Sequence, residues 1–151
     1  MFPRKTSLLA RTALLLVWLP ALAALAGCGR FSRTKQCRTL IAQVNPALDD
    51  VLTLTHGDAG ILGSGSYVAA AGRYERLAKQ LGPLEFATED MAKNVAEYAG
   101  LLSTTAQQLR SLGAALDAKN PAEADKLNRD LERTVASERA VIARMDAWCQ
   151  P

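Results

Sequence analysis

The sequence predicts an all-α protein, an antiparallel up-down-up-down four-helix bundle. Three observations carry this. Apolar residues recur along the chain at alternating steps of three and four, the period of a helix face. No stretch alternates with period two, so no strand is predicted, and there is no repeat of solenoid length. Gly and Pro clusters cut the periodic part into four long segments with short connections, the pattern of a bundle.

The chain opens on a segment of another kind. Arg4, Lys5 and Arg11 stand in the first eleven residues without an acid, and residues 12–26 are nearly all Leu, Ala and Val. Sixteen residues lie between Arg11 and Cys28, with Pro20 among them. That is shorter than the roughly 20 apolar residues of a membrane span, so the segment reads as a secretory signal peptide. It ends in Leu25-Ala26-Gly27-Cys28, which resembles the lipobox of bacterial lipoproteins. The resemblance implies cleavage between Gly27 and Cys28, a diacylglycerol on the Cys28 sulfur, and acylation of its new amino group. It also implies localisation: Gly29, in the position where Asp favours the inner membrane, leans toward the outer membrane, facing the periplasm or the cell surface. Three acyl chains would make a permanent anchor, since two already hold stably.

On this reading residues 1–27 are removed, 28–36 form a lipidated tether, and 37–150 form the bundle domain. Cleavage leaves 124 residues, enough for one domain with a true core. It also removes the apparent basicity. The full chain has 18 Lys and Arg against 15 Asp and Glu, and three of the bases lie in the signal, so the mature part is balanced at 15 against 15. Charge therefore gives no argument for nucleic acid or for an anionic substrate. Arg30, Arg33, Lys35 and Arg38 are near enough to touch headgroups, but a solvated linker explains them as well.

With Cys28 lipidated, Cys37 and Cys149 remain. An even pair in an exported compartment favours a disulfide over two buried thiols or a metal site. Two Cys and one distant His make a poor zinc set, and no C-x-x-C is present. A Cys37–Cys149 bridge puts the start of the first helix beside the end of the last, which fits an even number of antiparallel helices.

The first helix is expected over about 34–56, with Cys37, Ile41, Val44, Leu48, Val51 and Thr55 inward. Pro46 removes one hydrogen bond and crowds the Ala42 carbonyl, so a kink is expected there, or a break with Asn45 as N-cap. The Gly-rich stretch 57–66 reads as a loop. It follows a helix and lacks the Lys-Ser/Thr ending of a phosphate loop.

The second helix is expected over about 67–81, with Tyr67, Ala70, Tyr74, Leu77 and Leu81 inward, stopped by Gly82-Pro83. Leu84 and Phe86, in the turn, are expected to close the end of the core. The third starts at Thr88 as N-cap with Glu89 and Asp90 in its first turn. Its stripe is Met91, Val95, Tyr98, Leu102, Thr105, Leu109, Leu112, Leu116. Asn120-Pro121 ends it and starts the fourth, with Asn120 as N-cap and Glu123 three residues on. The fourth runs to Cys149 with Leu127, Leu131, Val135, Glu138, Ile142, Met145 and Cys149 inward.

Enzyme signals are thin. The single His, His56, stands at a helix end, where it caps carbonyls more readily than it catalyses. No nucleophile with a base partner, no metal set and no cofactor motif is found, so no catalytic residue is assigned. The expected role is a non-catalytic interaction or structural module, held to the membrane by Cys28 and meeting an envelope protein; the alternative is a small-ligand-binding or sensory bundle.

One residue stands out. Glu138 sits mid-stripe, where a buried charge is costly unless paired. Antiparallel alignment about the turns brings it level with Tyr98, Leu102 and Tyr74, and near Asn45. Glu138, Tyr74, Tyr98 and Asn45 would then form a polar layer, either a specificity network or the floor of a small-ligand pocket. The rarity of fully buried Glu favours the plainer alternative, Glu138 on the stripe edge reaching water.

Overall fold

The structure, a computed structural model, describes residues 32–54 and 63–150. Four helices are present: α1 over 32–54, α2 Ser64–Leu81, α3 Glu89–Asp117 and α4 Pro121–Cys149. They pack as the four-helix bundle, and the described residues include no strand. The signal segment with Gly27 and Cys28, the tether up to residue 31, His56 and the first part of the Gly-rich loop lie outside the described residues.

Each neighbouring pair of helices is tied by at least one polar or covalent link, and the links run in a ring. Asp50 pairs with Arg73 at 3.0 Å between α1 and α2. Arg110 forks onto both oxygens of Glu75 between α2 and α3. Arg144 reaches Asn94 at 3.0 Å and Glu97 at 2.6 Å between α3 and α4. Cys37 and Cys149 close α1 to α4, with an S–S distance of 2.08 Å and Cα atoms 5.8 Å apart. Exposed pairs of this kind each contribute little stability.

The core divides by height. Toward the disulfide end Leu40, Leu77, Leu81, Met91, Val95, Tyr98, Leu102, Val141 and Met145 pack together, with Leu84 and Phe86 of the turn against them. The middle is built from small residues, Ala70, Ala71 and Ala106, with Val51 and Leu109. The far end holds Leu112, Ala115 and Ala124. Small side chains let α2 and α3 approach closely. A Cβ added to Gly113 would lie 3.1 Å from the Ser64 carbonyl oxygen.

Helix ends follow their chemistry. The Thr88 hydroxyl accepts from the Met91 N–H, and Asn120 accepts from the Glu123 N–H. The last turn of α3 closes differently from the usual Gly stop. Asn120 N–H donates to the Ala115 carbonyl and Lys119 N–H to Leu116, with Lys119 itself at φ 52°. This is a Schellman turn carrying Lys where Gly is favoured.

Several expectations need correction. Residues 32–36 are helical, so α1 already includes residues ahead of the expected start near 34. The first turn is held because the Arg33 guanidinium lies 5.1 Å over the Trp148 ring and Gln36 Oε1 accepts from the Ala87 N–H. α1 runs through Pro46 without a break, which excludes the alternative of a new helix start capped by Asn45. Ile41 is half exposed and Leu40 is buried in its place, because the α1 face packed on the core runs through Leu40, Val44 and Ala47. α2 begins at Ser64, three residues before Tyr67, capped by Gly63 in extended conformation. Leu116 is exposed, because Gly113 already meets the first residue of α2 and no described residue of α2 reaches further along α3.

Candidate functional site

Glu138 lies on α4 between Thr134 and Val141, on the side that meets α3. It is 7% exposed and Thr105 is 1% exposed. The Thr105 hydroxyl donates to Glu138 Oε1. A Thr in mid-helix commonly back-bonds to a carbonyl four residues earlier, as Ser103 and Thr104 do here. Thr105 instead spends its proton across the helix interface. Burial pushes the Glu138 carboxyl above its usual range, and the Thr105 hydrogen bond opposes that shift.

The two tyrosines feel the same carboxylate. Tyr98 is 1% exposed, and Tyr74 is part-buried against the same core. Burial, and then the Glu138 charge, raise both phenols above their ordinary range, with Tyr74 adding to the effect on Tyr98. Both therefore stay protonated at any physiological pH. Asn45 is exposed and takes no part in the layer. It follows Val44 by one residue, about 100° round the helix, and Val44 is the one that packs on the core. Among the described residues Glu138 is hydrogen-bonded by Thr105, and Tyr98 and Tyr74 pack in the neighbouring core without a hydrogen bond to it.

Thr105 was legible as a stripe residue but not as the partner of Glu138. The signal available was a β-branched hydroxyl in an otherwise aliphatic run, close to the antiparallel level of the one stripe carboxylate. A hydroxyl bonded to a carboxylate has the composition of an activated nucleophile. The geometry does not suit that use, because the pair is enclosed by core residues. The arrangement instead gives a buried acid one donor and ties α3 to α4 across the core.

Three surface grooves are described, and none is lined by Glu138, Thr105, Tyr74 or Tyr98. One of about 570 Å³ runs between α1 and α2. One of about 450 Å³ lies at the disulfide end between the start of α1 and the Pro83–Phe86 turn. One of about 300 Å³ lies between α3 and α4, beside Gln108 and Asp130. Among the described residues no group of three His, Cys, Asp or Glu is placed to hold a metal ion. No described helix is long and apolar enough to cross a membrane. No protein-family model, curated protein or solved structure matches the chain.

Proposed function

We propose that the chain is an envelope lipoprotein whose bundle is a non-catalytic interaction or structural module, presented at a membrane surface by lipid on Cys28. The observation that carries this reading is Leu25-Ala26-Gly27-Cys28 behind a basic start and a short apolar run. Two features of the bundle support it. Cys37 and Cys149 are joined, as suits an exported, oxidising compartment. α1 is helical from residue 32, so only four steps of chain separate Cys28 from a fixed turn. At about 3.5 Å per residue the disulfide end would stand within about 14 Å of the lipid. The far end, with the Asn120-Pro121 turn, would then be the part a partner meets first. Gly29 leans the assignment toward the outer membrane.

The buried Thr105–Glu138 pair supports a rigid module over a chemical one, since its hydroxyl and carboxylate are spent on each other. The test is metabolic labelling with an alkyne fatty acid. Label is expected on the wild-type chain in membranes and on none of the Cys28→Ser variant. A wild-type chain that takes no label and is recovered outside membranes overturns the anchor. Crosslinking in intact cells, followed by purification from membranes, tests the module. A defined protein partner is expected, and a small molecule recovered without any protein partner reverses the functional assignment.

A further inference from the structure

The inward face of α1 runs through Cys37, Leu40, Val44, Ala47 and Val51. Each of these is followed by one residue of a second stripe, about 100° round the helix: Arg38, Ile41, Asn45, Leu48 and Leu52. The steps along it are again three and four. The residues before Val44, Ala47 and Val51 are Gln43, Pro46 and Asp50, which line the groove shared with α2. The second stripe therefore lies on the other flank of α1, beside α4. Ile41 is 50% exposed and Leu52 is 53% exposed. α1 thus carries apolar residues for two seams, and the bundle covers one of them.

Asn45 stands in the middle of the second stripe. A lone Asn in such a seam costs stability, and it specifies a parallel two-stranded pair in which it meets its own copy. The flanking charges fit that arrangement. Arg38 and Asp49 of α1, and Arg139 and Asp146 of α4, are exposed and make no ion pair among the described residues. Arg139 and Asp146 lie about 140–160° round α4 from Arg144, which faces α3. Counting at about 1.5 Å per residue from the Cys37–Cys149 bridge, Arg38 is within about 3 Å of the level of Asp146, and Asp49 of Arg139. Two parallel copies keep those levels, so each α1 charge meets its opposite on the other copy's α4. An antiparallel pair would carry Arg38 away from Asp146.

We infer that this flank of α1 binds a second copy of the chain, α1 beside α1 and parallel. The parallel orientation rests on the proposed lipid anchor: Cys28 stands four residues ahead of Ser32, so two anchored copies enter α1 from the same membrane face. Ile41, Leu48 and Leu52 then meet their own counterparts on either side of paired Asn45 side chains. Such a seam is small beside a standard interface of roughly 1,600 Å². Confinement of both copies to one membrane raises their effective concentration and offsets the small area.

The test is crosslinking of the full chain in cell membranes with a short bis-maleimide. Cys37 and Cys149 are bridged and Cys28 would carry lipid, so an introduced cysteine is the sole free thiol and the wild-type chain is the blank. Asn45→Cys and Leu52→Cys are each expected to give crosslinked dimer, at least about tenfold more than Lys93→Cys, which is exposed on α3 diagonally across the bundle. Ile41→Glu, added to either, should abolish the product while leaving the thermal unfolding midpoint in place, since half of Ile41 is already exposed. Arg38→Asp should weaken crosslinking, and Arg38→Asp with Asp146→Arg should restore it. No dimer from Asn45→Cys, as much from Lys93→Cys, or a product that survives Ile41→Glu overturns the inference. Dimer from Asn45→Cys without dimer from Leu52→Cys overturns the parallel arrangement. Fatty-acid labelling of the same membranes separates this inference from the anchor. Label without dimer refutes the pairing and leaves the anchor, and dimer above the blank without label does the reverse.

Discussion

Replacing Glu138 by Gln should stabilise the bundle, by an amount that grows with pH. The Glu138 carboxyl is 7% exposed and receives one side-chain hydrogen bond among the described residues, from Thr105. An ionised carboxylate offers about four acceptor sites, so most of its lost hydration is not replaced. Burial accordingly holds its folded pKa above the ordinary value, despite the Thr105 bond. Between the unfolded and folded pKa values the native chain holds more protons than the unfolded chain, so stability falls as pH rises. The stabilising contribution is fully present below about pH 4.3 and is lost as pH climbs through the folded value.

Gln keeps the shape, and its amide oxygen still accepts from Thr105, but it has no charged form to desolvate. At neutral pH the variant should gain about 1–3 kcal/mol, the usual scale for relieving a buried charge. That corresponds to roughly 4–12 °C in Tm for a domain of this size. Near pH 4 the gain should shrink toward zero, because the wild-type carboxyl is then protonated. The assay is thermal unfolding followed by circular dichroism, disulfide intact, at steps from about pH 4 to about pH 8. A gain that does not change with pH would refute the reasoning, as would a variant less stable than wild type at neutral pH. Thr105→Val is the companion. It removes the donor without changing the shape and should cost about 1–3 kcal/mol, more at neutral pH than near pH 4.

The remaining predictions concern the frame around that pair. Gly100 and Gly113 both lie inside α3, where Ala is favoured over Gly by about 1 kcal/mol. Nothing lies within 4 Å of a Cβ at Gly100, whereas one at Gly113 meets the Ser64 carbonyl at 3.1 Å. Gly100→Ala should therefore raise Tm and Gly113→Ala should lower it or leave it unchanged, and equal gains in guanidinium unfolding would contradict the close α2–α3 approach. Lys119→Gly should gain about 0.5–1 kcal/mol in the same measurement, by relieving a left-handed backbone that favours Gly. Reducing the Cys37–Cys149 bridge, which spans a sequence separation of 112, should cost at most about 4.7 kcal/mol. Unfolding with and without reductant checks this, and no change in midpoint would show that the bridge does not form.

How far the fold could be read from sequence depended on whether the deciding neighbour was local. The inner face of α3 was legible because Met91, Val95, Tyr98, Leu102, Thr105, Leu109 and Leu112 repeat at helical spacing, and all seven are buried. The caps at Thr88 and Asn120 were legible for the same reason, since a side-chain acceptor and its N–H lie three residues apart. On α1 the choice between Leu40 and Ile41 was not local. Both are apolar and adjacent, and the one that turns inward is set by how α1 packs on the other helices, where Leu40 joins Leu77, Tyr98 and Val141. The same holds for Glu138. Its position on the stripe marked it as unusual, but burial by sequence pattern is a statement about faces, and the rarity of buried Glu argued for the edge. What overrides that rarity is a hydroxyl 33 residues away, which supplies a donor that no local pattern displays. Asn45 fails by the converse argument. It is exposed on the wrong side of its helix, one residue past the core-packed Val44, and an antiparallel alignment by height says nothing of side.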